Sequence, residues 1–118
     1  MYVDGMVVPV PKKNLEAYKR VSKKIGKIWK EFGAQQYTEC AADDVKAGKV
    51  TSFPQAVKLK PGEVVVFSWI VYKSRAQRDR ALKKVMTDKR VAKWMNPENM
   101  PFDGKRMFWG GFKPIVSL

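Results

Sequence analysis

Between Glu63 and Tyr72 the chain reads Val-Val-Val-Phe-Ser-Trp-Ile-Val, a β-branched and aromatic run that predicts a strand. Its polarity does not alternate. One face would carry Val64, Val66, Ser68, Ile70 and Tyr72, and the other Val65, Phe67, Trp69 and Val71. A strand that is apolar on both sides must be covered on both sides. Residues 2–10 predict a further strand with Tyr2, Asp4, Met6, Val8 and Val10 on one face. Pro9 has no N–H to give a ladder, so it belongs at the strand's end or beside an open edge. Leu15, Tyr18, Ser22, Ile25, Trp29 and Phe32 recur at helical spacing and predict a helix over about residues 12–32. Gly33 is placed to end it as a left-handed cap. Gly26 in its middle costs roughly 1 kcal/mol relative to Ala, and close packing against a sheet is a reason to keep it there.

Residues 35–43 read as a strand with Tyr37, Glu39 and Ala41 on one side and Thr38, Cys40 and Ala42 on the other. The segment 53–59 fits a short helix or an irregular strand. Lys60-Pro-Gly-Glu63 has the Pro and Gly positions of a type II turn. Ser74-Arg-Ala-Gln77 matches a capping box opening a helix over 75–87, which would bury Ala76, Leu82, Val85 and Met86. Asp88 is placed to cap a further short turn through Trp94. Residues 105–116 read as the last strand, with Gly110-Gly111 as a bulge or a close backbone approach.

The order β-α-β-β-α-β predicts an α+β, ferredoxin-like domain over residues 1–118: a four-stranded antiparallel sheet with both helices on one face. Such a sheet presents very roughly 400 Å² of projected face, within the range of the largest apolar patches that monomers expose. A homodimer packed through the sheet faces is the simplest cover for the bare side, the alternative being that residues 46–60 fold back over it.

Charge adds a second constraint. The 24 Lys and Arg against 11 Asp and Glu give +13, a surface that attracts polyanions without any specific site. Weak, salt-sensitive nucleic-acid binding is expected, and specific readout is not, because no RRM-type Lys/Arg-Gly-Phe motif is present. Histidine is absent, which removes the usual general base near neutral pH and the common zinc and haem ligands. Neither a metal nor a cofactor is expected. Cys40 is the single cysteine, and it reads as a small buried hydrophobe rather than a reactive thiol. The first residues lack a secretory pattern, and no apolar run approaches the ~20 residues of a membrane span. A cytoplasmic protein is the expectation.

Several blocks carry a resemblance: Trp29-Lys-Glu-Phe-Gly-Ala34, Glu39-Cys40, Asp44-Val-Lys-Ala-Gly-Lys-Val-Thr51, Val65-Val-Phe-Ser-Trp-Ile70 and Met100-Pro-Phe-Asp-Gly-Lys-Arg-Met-Phe-Trp-Gly-Gly-Phe112. They resemble the YbaA-like bacterial family, of unknown function. The resemblance implies the dimeric α/β-barrel superfamily, in which two ferredoxin-like sheets pack face to face, and whose members include cofactor-free monooxygenases and haem enzymes. The missing histidine removes the haem ligand such enzymes would need.

Candidate site residues follow from these patterns. Asp4 lies between apolar neighbours on a strand, so if buried it needs a partner, and Arg106 on a neighbouring strand is the candidate. Together they are the candidate catalytic pair, set against a plain structural ion pair. In Asp103-Gly-Lys-Arg106, Lys105 and Arg106 could clamp an anionic substrate with Asp103 orienting Arg106, although the same residues make a solvated turn. Tyr37, Trp69 and Trp109 are candidates to line a ligand cavity between sheet and helices, against the commoner reading of aromatic residues as core. The function expected is binding of a small organic molecule, extending to cofactor-independent, monooxygenase-like chemistry. The alternative is a cationic, non-catalytic module for RNA, DNA or another polyanion.

Overall fold

The computed structural model describes all residues from Met1 to Leu118. Strand β1 (Tyr2–Pro11) leads into helix α1 (Leu15–Glu31) and strand β2 (Gln36–Ala41). A short helix α2 (Phe53–Ala56) precedes the long strand β3 (Glu63–Tyr72). Helices α3 (Arg75–Met86) and α4 (Lys89–Ala92) follow, and strand β4 (Phe108–Phe112) completes the chain's elements. All ladders are antiparallel, in the order β2-β3-β1-β4. This is the ferredoxin-like α+β architecture that the element order predicts.

The local signals act as their chemistry requires. Gly33 ends α1 at φ +113°, and Gly62 turns at φ +83° with the Glu63 N–H donating to the Lys60 carbonyl at 3.1 Å. Ser74 Oγ accepts from the Gln77 N–H at 3.1 Å, and Gln77 Oε1 accepts from the Lys73 N–H at 2.8 Å. Pairing of β1 with β4 stops at Val7, so Pro9 stands beside an open edge where no ladder bond is lost. The ambiguous 53–59 segment is helical at its start, with Ser52 as its cap.

Three readings need correction. The last strand covers only Phe108–Phe112, because Asp103 caps a 3₁₀ turn over Gly104–Arg106 and pulls Lys105 and Arg106 out of the strand. Ala76 and Met86 are exposed, since α3 turns Ala81 and Val85 inward instead. Cys40 is exposed rather than buried, because it stands with Phe67 on the sheet face away from α1 and α3.

The molecule is a slab of 38 × 38 × 20 Å, the thickness of one sheet plus one helical layer. Two core clusters lie under the helices. One joins Ile28, Trp29, Tyr72, Ala81, Val85 and Val91, and the other joins Val8, Val10, Tyr18 and Val66. Beyond the sheet, Val57 (1% exposed) packs on Val7 and Val65, with Leu59 and Ala42 around them. Phe53 meets the edge of Phe67 at 5.9 Å. The segment around α2 thus folds back over one end of the second face, and only that end. Phe67, Phe108 and Phe112 remain 42%, 46% and 64% exposed on the rest, beside the half-buried Val3, Trp69 and Val71.

Candidate functional site

Strand register sets the floor of a cavity. Glu39, Ser68, Met6 and Trp109 lie side by side across the four strands, and Tyr37, Ile70, Asp4 and Gly111 form the next row. Being two residues apart, both rows point to the helix side. Helix α1 supplies Tyr18, Ser22 and Ile25, and the other helices supply Leu82, Val85 and Val91. Trp94, Met95, Met100, Phe102 and Met107 close the remaining side. The cavity, partly open to solvent, has a volume of about 240 Å³, room for one substituted ring. Five of the six methionines line it: Met6, Met86, Met95, Met100 and Met107. Methionine is flexible and polarizable, so such a wall can adapt to an irregular guest.

Polar groups gather at the β2 end. Both Tyr18 and Tyr37 donate their hydroxyls to Glu39, Tyr37 at 3.0 Å to Oε2 and Tyr18 to Oε1. Ser22 Oγ lies 3.1 Å from the Tyr37 hydroxyl. Burial holds the Glu39 carboxyl above the usual carboxylate range, opposing the two phenol hydrogen bonds that favour its charged form. Burial and the adjacent Glu39 charge push both phenols above their ordinary range. Beside Glu39 on the cavity floor stands Ser68, 5% exposed. Gly26 makes this packing possible. A Cβ there would lie 2.6 Å from Cδ1 of Tyr37, so the ring sits directly on the helix backbone.

The opposite end is closed by an ion pair. Asp4 is 6% exposed. It accepts from Arg78 Nη2 at 2.9 Å, from Arg78 Nε at 3.1 Å and from the Tyr72 hydroxyl at 2.8 Å. The Arg78 guanidinium lies 5.3 Å from the Tyr2 ring centre and 5.7 Å from that of Trp109, within cation–π range. Gly111 leaves the passage for it, since a Cβ there would lie 2.7 Å from Arg78 Nη2 and against the Tyr2 hydroxyl. The close-approach reading of the Gly-Gly pair is therefore the right one, and the ladder runs past both glycines without a bulge.

Arg106 is not the partner of Asp4. It forms a two-pronged pair with Glu63 at 2.6 and 2.7 Å and a further bond to Asp103 at 3.0 Å. These bonds lower the Glu63 and Asp103 carboxyls below the usual range. Glu63 pairs with Pro11 at the far end of β3, so Arg106 and Asp103 clamp the sheet's end through Glu63, Lys105 adds only its N–H to Asp103, and none of these lines the cavity. Trp69 borders the cavity with its backbone. Its ring points the other way, 5.7 Å from Phe67 on the open face. Of the candidates, Asp4, Tyr37 and Trp109 do line the cavity. Sequence reasoning missed Glu39, Tyr18, Ser68 and Arg78. The available signals were a carboxylate two residues from Tyr37 on the same strand face and a serine within an apolar strand.

A family model described as a protein of unknown function (DUF1428) matches residues 1–104. The chain belongs to this family. The uncharacterized protein YbaA of Escherichia coli K12 is 50% identical over 116 residues, which cover 98% of this chain and 97% of that protein. The YbaA of Shigella flexneri gives the same figures. Among solved structures, a dimeric ferredoxin-like protein from an uncultured marine organism superposes with a TM-score of 0.65 at 6% identity, covering 100% of this chain and 98% of that one. Protein Atu4242 of Agrobacterium tumefaciens gives 0.57 at 14% identity, covering 97% and 93%. An uncharacterized NIPSNAP domain protein of Burkholderia xenovorans gives 0.55 at 11% identity, covering 97% and 94%. At these identities the structural likeness shows the fold alone.

Proposed function

We propose that this protein is a homodimer that holds a small, largely apolar organic molecule in the cavity between sheet and helices, anchored by one hydroxyl-type group at Glu39 and Ser68. The observation that carries the reading is Glu39: a half-buried carboxylate held by the Tyr18 and Tyr37 hydroxyls and paired with Ser68 across the sheet, at the polar end of an otherwise methionine- and aromatic-lined space. A guest hydroxyl placed there would accept from Ser68 and donate to Glu39. If chemistry follows, it starts with Glu39 taking that proton, which would leave an electron-rich ring for dioxygen to oxidise in a cofactor-independent, monooxygenase-like reaction, one oxygen atom entering the guest and the other leaving as water. The dimer reading rests on the exposed Phe67, Phe108 and Phe112 and on the assembly of the marine ferredoxin-like protein.

Tryptophan fluorescence titration with p-cresol and with toluene tests the cavity reading. The cresol is expected to bind at least tenfold more tightly, with the preference lost in Ser68→Ala/Glu39→Gln. Equal binding of the two probes, or binding of neither, would refute it. Sedimentation at micromolar concentration tests the dimer, and a species of 13.5 kDa would overturn that part.

A further inference from the structure

A second concavity lies outside the molecule, between α1 and the edge strand β2. It is a groove of about 640 Å³, separated from the cavity by the Tyr18–Glu39–Tyr37 wall. One side is a row of lysines, Lys19, Lys23, Lys27 and Lys30. Their spacing of four, four and three residues puts them on one helix face, over a length of ~16 Å. The other side is β2 itself, which pairs with β3 alone and runs ~20 Å. Ala42 donates inward to the Val65 carbonyl at 2.8 Å. By the alternation of an antiparallel ladder, the N–H and C=O groups of Tyr37, Glu39 and Ala41 then point outward, unpaired. Lys30 is tied to the Gln35 carbonyl and Lys19 to Glu16. Lys23 and Lys27, exposed at the groove's centre, form no ion pair.

We infer that this groove takes an extended acidic peptide segment as a fifth strand on β2, with alternate carboxylates facing the lysine row. Two features select this occupant. An edge strand offers alternating donors and acceptors at the spacing of another backbone, and only a polypeptide matches that pattern. Four lysines outnumber the single carboxylate, Glu39, which already accepts from the Tyr18 and Tyr37 hydroxyls, so the groove selects acidic incoming side chains. A second copy of this chain is disfavoured, because β2-to-β2 pairing would bring two lysine rows together on a molecule of net charge +13. The inference is independent of what fills the inner cavity.

Fluorescence anisotropy with the full-length protein and a labelled eight-residue peptide of alternating Thr and Glu tests it. Two further versions carry N-methyl groups on one or the other alternate set of amides. One set is expected to weaken binding at least tenfold and the other to leave it unchanged, because only one edge of the peptide meets β2. Lys23→Glu/Lys27→Glu is expected to weaken binding at least tenfold, whereas Lys83→Glu/Lys89→Glu, with the same net charge, leaves it within twofold. Equal loss in both double variants, or no difference between the methylated sets, would reduce the groove to diffuse electrostatics and overturn the inference. So would tighter binding of an eight-residue oligothymidylate at the same lysines. Failure of the acidic peptide to bind below millimolar concentration at low salt would leave the lysines as guards against edge-to-edge aggregation.

Discussion

Asp4→Asn removes one charge from a pair that water barely reaches: the Arg78 and Asp4 side chains are 11% and 8% exposed. The amide keeps the shape and can still accept from Tyr72, so the perturbation is electrostatic. Breaking one side of a buried pair costs about 3–5 kcal/mol, because the remaining charge is left without a partner. Arg78 retains Asp79 at 2.9 Å and the faces of Tyr2 and Trp109, which places the cost at the low end, about 3 kcal/mol. At ~4 °C per kcal/mol for a domain of this size, the melting temperature should fall by ~12 °C. Urea denaturation at pH 7 measures the loss, with protein concentration held constant because dimerisation would make stability concentration-dependent. The paired change Asp4→Asn/Arg78→Met should recover more than half of it, since no lone charge remains buried and the Tyr72 hydroxyl keeps its acceptor. A loss below about 1 kcal/mol for Asp4→Asn would refute the reasoning, for it would show that the pair is solvated after all.

Two other changes test the β2 end. Burial raises the Glu39 carboxyl's pKa in the fold, so its contribution to stability is complete below the unfolded value and is lost as pH rises through the folded value. The stability of Glu39→Gln relative to the unaltered protein should therefore improve between pH 4 and pH 8, as read from urea midpoints at each pH, and an unchanged or falling difference would contradict the assignment. Gly26→Ala gains about 1 kcal/mol of helix propensity, but its Cβ would lie 2.6 Å from a Tyr37 ring that Glu39 and Ser22 hold in place. Overpacking of this kind costs about 1–3 kcal/mol, so the urea midpoint should fall, and a rise would show that the ring can move.

The elements and their order are legible along the chain. Periodicity at Leu15–Phe32 and the unbroken apolar run of β3 depend on neighbours along the chain, as do the caps at Gly33, Ser74 and Asp88, so each is readable locally. The same run, apolar on both sides, also announced that helices would cover one face and leave the other in need of cover. Partnership across the fold was not readable in this way. Sequence reasoning offered Arg106 to Asp4, yet the partner is Arg78, because the first turn of α3 brings it to Asp4 while a capped 3₁₀ turn carries Arg106 to Glu63 at the sheet's opposite end. Trp69 and Ser68 are adjacent in sequence yet face opposite layers, and only register against β1 shows which one meets the cavity. Glu39 looks like an ordinary strand carboxylate until α1 sets Tyr18 above it and β2 sets Tyr37 beside it. Which polar side chains meet depends on angles and distances between elements remote in sequence, and those are set by packing the whole core at once.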